Sequence, residues 1–282
     1  MVSSRTKVIS SMLSIDNIEK NIYRSEGPHV GNIPGPKRVF GGYVVAQAYK
    51  AVKEYTKKIQ DENPIFREMD KSVNSKVNKL GNIYAVDVFQ DKKSIGLAHV
   101  KTNPKLLEPP LYPTDLPALL SLPDLSTLIS LIPTESEKNR MIHLRDHLIY
   151  ELRPVHMKQN APGEHRAAFY ARLSPESVAH LVENSGMAAV VALSDFFVML
   201  SAMNILEGTG HKVTTASSMH HKINFHQENV EVAQWFLVES RTEVINLNKS
   251  KIHGAIFDSN KNCVISFIQE AYMVPKKLES KI

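Results

Sequence analysis

"GMAAVVALSDFFVMLSAM", residues 186–203, is apolar on every side of a helical wheel and carries one charge, Asp195. A helix lying on one face of a sheet needs only a single apolar stripe, so a segment apolar all round has to be enclosed. The tract is near the lower length limit for crossing a bilayer, but a carboxylate at its middle is costly there and no second span is visible. A buried helix in a soluble protein is therefore expected, with an antiparallel sheet curved around it. Upstream, "LSPESVAHLVENS" supplies helix-start signals: Ser174 as N-cap, Pro175 at the first helical position and Glu176 in the first turn.

Downstream of this segment, strand alternation marks "SSMHHKINFH" (217–226), "AQWFLVESRTEV" (233–244), "SKIHGAIF" (250–257) and "CVISFIQEAYMV" (263–274), the last pair joined by "DSNKN". The N-terminal half has the same rhythm. "GGYVVAQAYKAVKEYTKK" begins a helix at Gly41, and "NIYAVDVF" and "SIGLAHVKT" form a hairpin about "QDKK". Nine of the 15 prolines fall between Pro104 and Pro162, a density that forbids long regular helix or central strand and reads as a linker. The predicted architecture is α+β and duplicated: an N-terminal unit over 1–103, a Pro-rich linker over 104–149 and a C-terminal unit over 150–282. The 25 residues "KKIQDENPIFREMDKSVNSKVNKLG" (57–81) alternate poorly, so the first unit is expected to lack a strand and to expose a sheet edge, which favours a homo-oligomer.

Composition narrows the function. The 282 residues include 43% hydrophobic ones, enough for a real core. Lys and Arg exceed Asp and Glu by 34 to 29, but the basic residues are scattered, with no basic run interleaved with aromatics, which argues against nucleic acid. Cys263 is the single cysteine, and no apolar stretch follows "MVSSRTK", so a reducing intracellular compartment is expected. There is no Gly-x-Ser-x-Gly elbow, no Gly-x-Gly-x-x-Gly and no phosphate loop.

Asp195 shares a helical face with Ala188, Val191, Ala192, Val198 and Met199, so helix geometry buries a carboxylate among aliphatic groups. It needs hydrogen-bond partners, a raised pKa or both, and is either a general base or a structural tie. On the last strand, alternation puts Gln269 alone among Cys263, Ile265, Phe267, Ala271 and Met273, pointing inward. The histidines of "SSMHHKINFHQE" divide between faces. Only His220 and His226 share the polar face with Lys222 and Asn224, and they are about 20 Å apart along a strand, too far for one ion. No metal site is expected there, and no cofactor is called for.

"RVFGGYVVAQAYKAV", "ALSDFF", "SSMHHKINFH" and "FIQEAYMV", in that order, resemble the signatures of the type II acyl-CoA thioesterases, over about Ile15 to Val274. The resemblance implies a double hotdog fold and hydrolysis of fatty acyl-CoA thioesters. It implies that Asp195, Ser218 and Gln269 hold and activate a water, and that Gly41 and Gly42 open a helix whose N–H groups approach a carbonyl oxygen or phosphate. Tight packing of a helix entry explains the paired glycines equally well. In a regular strand Ser218 falls with the polar set and Ser217 with the apolar one, so a bulge or late strand start is required, and Ser217 is the alternative. The family's aspartate and tryptophan in this signature are here His220 and Asn224. The final Ser280, Lys281 and Ile282 resemble a Ser-Lys-Leu peroxisomal address read by an import receptor, with a cytoplasmic location as the alternative. A non-catalytic acyl-CoA-binding assembly subunit and a hotdog enoyl-CoA hydratase are the competing functions.

Overall fold

The computed structural model describes residues 15–19, 22–24, 41–58, 66–70, 75–80, 83–90, 93–102, 108–113, 115–156, 166–181, 185–246 and 248–277. The Ser280, Lys281 and Ile282 tail lies outside these residues. The strands are β1 (Asp16–Glu19), β2 (Ile22–Arg24), β3 (Phe66–Asp70), β4 (Ser75–Leu80), β5 (Ile83–Gln90), β6 (Lys93–Thr102), β7 (Tyr150–His156), β8 (Arg166–Leu173), β9 (His211–Phe225), β10 (Phe236–Asn246), β11 (Lys249–Phe257) and β12 (Cys263–Lys277). They form one sheet of 12 strands in the order β1-β2-β4-β5-β6-β3-β9-β12-β11-β10-β8-β7, antiparallel throughout. Taken from its outer edge, the C-terminal half runs β7-β8-β10-β11-β12-β9, which is the N-terminal order advanced by six strands. The duplication expected from the sequence is thus present in the topology, and the halves join where β3 pairs with β9.

Helix α1 (Gly41–Lys58) fills the first half, and nearly every side chain from Tyr43 to Val52 is buried. Along α1, Tyr49 stacks on Phe225 at 5.2 Å and Tyr55 meets Tyr84 edge-on at 6.2 Å, so the helix touches strands of both halves. One core cluster runs from Tyr23 and Val86 in the first half to Phe236 and Phe267 in the second. The missing-strand expectation is corrected: β3 and β4 both lie within residues 57–81. Their sequences, "FREMD" and "SKVNKL", are too polar for the hydrophobic period to register. Pairing on both sides carries them instead: β3 sits between β6 and β9, and β4 between β2 and β5. The edge that favoured self-association is therefore occupied.

The linker is more ordered than its prolines suggest. Helix α2 (Leu125–Ser130) is capped by Asp124, whose carboxylate accepts from the Thr127 amide at 2.7 Å, and α3 (Glu135–His147) uses the interval after Pro133 that proline leaves open. The preceding segment lies over the outer face of the second half. The Tyr112 and Tyr170 hydroxyls are 3.1 Å apart, the Tyr112 ring meets Phe257 edge-on, and Arg153 donates to the Leu122 carbonyl at 2.6 Å. Arg166, itself buried, pairs with Asp115 of the linker and Glu239 of β10 at 2.6 and 2.9 Å.

The deciding stretch is enclosed as expected but is not one helix. Helix α4 (Pro175–Ala179) starts at the Ser174 cap, α5 (Gly186–Leu193) is buried from Met187 onward, and α6 (Leu200–Gly208) begins after a break at Ser194 to Met199. Within the break Phe197 takes a left-handed φ of 53°. Ser194 and Asp195 are poor helix formers because their side chains compete for backbone groups, and the helix yields at them. Among the described residues no helix is long and apolar enough to cross a membrane.

Candidate active site

Asp195 stands in this break rather than on a continuous helical face, and it is 3% exposed. The Asp195 amide reaches back to Ala192 O at 3.4 Å, and Phe196 to Leu193 O at 3.0 Å, both tightened turns that end α5. The turn frees the carboxylate from the helix surface and aims it at the sheet.

Opposite it, β9 carries the irregularity that the parity of Ser218 demanded. Glu270 of β12 pairs with His220, but the next residue, Ala271, pairs with Ser218, leaving Met219 as an extra residue. This β-bulge reverses the alternation. His221, Ile223 and Phe225 point inward below it, Ser218 and Ala216 above it, while Ser217 and Met219 are exposed. The bulge turns Ser218 inward and leaves Ser217 facing outward. Gln269 of β12, fully buried, faces the same point.

The three side chains meet at one oxygen. Ser218 Oγ donates to Asp195 Oδ1 at 2.8 Å, Gln269 Nε2 donates to the same Oδ1, and Gln269 Nε2 also lies 2.8 Å from Ser218 Oγ. A carboxylate only accepts, so the amide nitrogen is the end of Gln269 that must face it. The amide oxygen Oε1 is thereby turned away, buried, with no hydrogen bond from the described residues. The walls are aromatic. Phe196 packs against Tyr43 at 6.0 Å and Tyr150 at 5.2 Å, and Tyr150 donates to Ala189 O at 2.8 Å. Burial pushes both phenols well above their ordinary pKa, so they stay neutral and no phenolate charge forms in these walls.

Gly41 and Gly42 begin α1, with Gly42 buried. The Tyr43–Phe196 contact brings this helix start beside the residue that follows Asp195. The first N–H groups of a helix have no intrahelical acceptor, so those at the start of α1 are free of helical bonding. Of the histidines, His220 is exposed, His221 is buried, and His226 Nε2 lies 2.9 Å from Ser266 Oγ. Among the described residues no group of three or more His, Cys, Asp or Glu side chains is placed to hold a metal. Sequence reasoning missed the aromatic walls and the break. The adjacent Ser194 and Asp195, weak helix formers in a row, were the available signal.

Cys263 is buried, its Sγ donates to Ile265 O at 3.3 Å, and burial, with Asp258 adding a smaller effect, pushes the thiol up to about 12. We expect the native protein to consume no thiol reagent at pH 8 and one equivalent once unfolded; rapid native labelling would contradict that burial.

Residues 114–273, more than half of the chain, match a family profile described as the acyl-CoA thioesterase C-terminal domain. No match to the chain was found among curated proteins. Among solved structures it is similar to the acyl-CoA thioesterase II TesB2 of Mycobacterium marinum, at 16% identity and a TM-score of 0.63, covering 97% of this chain and 100% of that one. It is similar to a tesB protein of Mycobacterium avium subs paratuberculosis at 16% identity and 0.67, covering 95% and 98%. A third, from Alicyclobacillus acidocaldarius and described as having a hot dog fold, is 10% identical at 0.66, covering 95% and 98%. These likenesses extend the hotdog fold over nearly the whole chain.

Proposed function

This chain belongs to the acyl-CoA thioesterase family, and from that premise we propose that it hydrolyses fatty acyl-CoA to fatty acid and CoA with a water activated by Asp195, Ser218 and Gln269. The observation carrying this is the convergence of a helix break, a β-bulge and a strand interior on one buried carboxylate oxygen. Both donors occupy Oδ1, so Oδ2 is the oxygen that takes the proton of an attacking water. Ser218 Oγ and Gln269 Nε2, by holding Oδ1, fix the direction in which Oδ2 meets that water.

The water oxygen bonds to the thioester carbonyl carbon, and the proton passes to Asp195. The amides at the start of α1 stabilise the resulting oxyanion. The C–S bond then breaks, and the proton returns from Asp195 to the leaving thiolate, so Asp195 ends as it began. A thiolate is a good enough leaving group that no covalent enzyme intermediate is needed. The hydrogen bonds of Asp195 run to a serine and a glutamine, which favours water activation over the aspartate–histidine pairing of a hydratase.

The test is thiol release across a panel of acyl-CoA chain lengths, with fatty acid measured in parallel. Stoichiometric CoA and fatty acid support the proposal. Tight acyl-CoA binding without release would make the chain a binding subunit, and hydration of an enoyl-CoA without release would make it a hydratase.

A further inference from the structure

The break that carries Asp195 is closed by three buried hydroxyls outside the site, and we infer that Ser240, with Ser201 and Thr242 behind it, is a positioning residue for Asp195. This rests on the role proposed for Asp195.

In an uninterrupted helix the Val198 carbonyl would accept from the amide of Ala202, four residues on. Here the Ala202 amide bonds to Met199 O at 3.1 Å, and the Met203 amide goes to Met199 O as well, at 2.9 Å. The backbone ladder therefore passes over Val198, whose side chain is fully buried. A buried carbonyl without a donor is costly, so other groups must serve it. Ser201 Oγ donates to Val198 O at 3.0 Å from within α6, and Ser240 Oγ donates to it at 3.1 Å from β10. Thr242, two residues along β10, donates to Ser201 Oγ at 2.8 Å and so fixes which way that hydroxyl turns. Ser201, Ser240 and Thr242 are 0%, 2% and 8% exposed.

The arrangement does more than satisfy a carbonyl. Val198 is three residues beyond Asp195, and between them Phe197 holds a left-handed φ that a bulky residue adopts only under constraint. On the other side of Asp195, Ser194 Oγ donates to Val191 O at 2.7 Å. The turn is thus held at both ends, and the end at Val198 is tied to a strand rather than to the helix alone. Ser240 pairs in register with Gly254 of β11, and Gly254 pairs with Phe267 of β12, two residues from Gln269. Break and glutamine are therefore referenced to the same three strands. Without the Ser240 hydroxyl, the turn is free to regain helical bonding between Ala202 and Val198, which would swing Asp195 off the point where Ser218 and Gln269 meet.

A displacement of about 1 Å at a reacting group lowers rates by up to about 100-fold. We expect Ser240→Ala to lower kcat 10- to 100-fold at a nearly unchanged KM, Ser240→Thr to restore most of it by returning the hydroxyl, and hydrogen exchange to quicken over residues 194–203. A Ser240→Ala protein with wild-type kcat would overturn the inference, as would a loss that Ser240→Thr does not restore. Should Ser240→Ala fail to fold, Thr242→Val decides: a lower kcat at constant KM supports the latch, and wild-type kcat rejects it. If the wild-type protein releases no thiol, the failure belongs to the proposed function. The exchange measurement then decides alone, and unchanged exchange over 194–203 in Ser240→Ala rejects the latch.

Discussion

Asp195→Asn is expected to lower kcat for acyl-CoA hydrolysis by about 10²- to 10⁴-fold, the range for removing a positioned general base. The substitution is nearly isosteric. Its amide oxygen, placed as Oδ1 is, still accepts from Ser218 and Gln269, so the network that orders the break survives. What is lost is Oδ2, replaced by an NH₂ that cannot take the water proton. An interaction made only as the proton moves is removed, so kcat and kcat/KM should fall together while KM stays close to wild type. Stability should not fall, because a 3% exposed carboxylate is replaced by a neutral group. The measurement is steady-state thiol release alongside a thermal melt. Full turnover in a folded Asp195→Asn protein would remove the aspartate from the mechanism, and a loss accompanied by a collapsed melting transition would make it a structural tie.

The enclosing sheet was legible in residues 186–203 because burial on all sides of a helix admits few surroundings. Gln269 was legible because one polar residue interrupted an apolar row of period two. The details that align the site were not. Whether the Ser194–Asp195 pair breaks a helix depends on hydroxyls arriving from β10, a strand more than 30 residues away in sequence. The bulge at Met219 could be required from the parity of Ser218 but not located, since an extra residue leaves no local signature in "SSMHHK". β3 and β4 were hidden because their stability lies in pairing on both sides, which the hydrophobic pattern of a single segment does not report. Helix α3 was hidden for a related reason: a proline count over the whole linker obscured the open interval after Pro133.

Gly254→Ala is expected to cost about 3 kcal/mol of folding stability, at the upper end for overpacking a well-filled interior, and to lower turnover as well. Nothing in "SKIHGAIF" distinguishes this glycine from a tolerated gap in a strand; its neighbours do. A Cβ at Gly254 would lie 2.6 Å from the backbone oxygen of Glu239 and closer still to the ring tip of Phe267. Neither has room to yield, since the oxygen belongs to a strand in the middle of a ladder and Phe267 is 1% exposed. The strand preference of alanine over glycine offsets up to about 1 kcal/mol of this cost and does not reverse it. Phe267 packs edge-on to His221 at 5.6 Å and stands two residues before Gln269 on the same face, so a displaced ring carries the strain toward the carboxylate network. Denaturant unfolding measures the stability change, and thiol release at a temperature where the variant is still folded measures the functional one. Adding Phe267→Leu should recover only part of the loss, because it removes the ring but leaves the Glu239 carbonyl in place. A Gly254→Ala protein as stable as wild type would mean that β10 and β11 separate easily at this point, and the rigid frame assigned to Ser240 and Gln269 would fail with it.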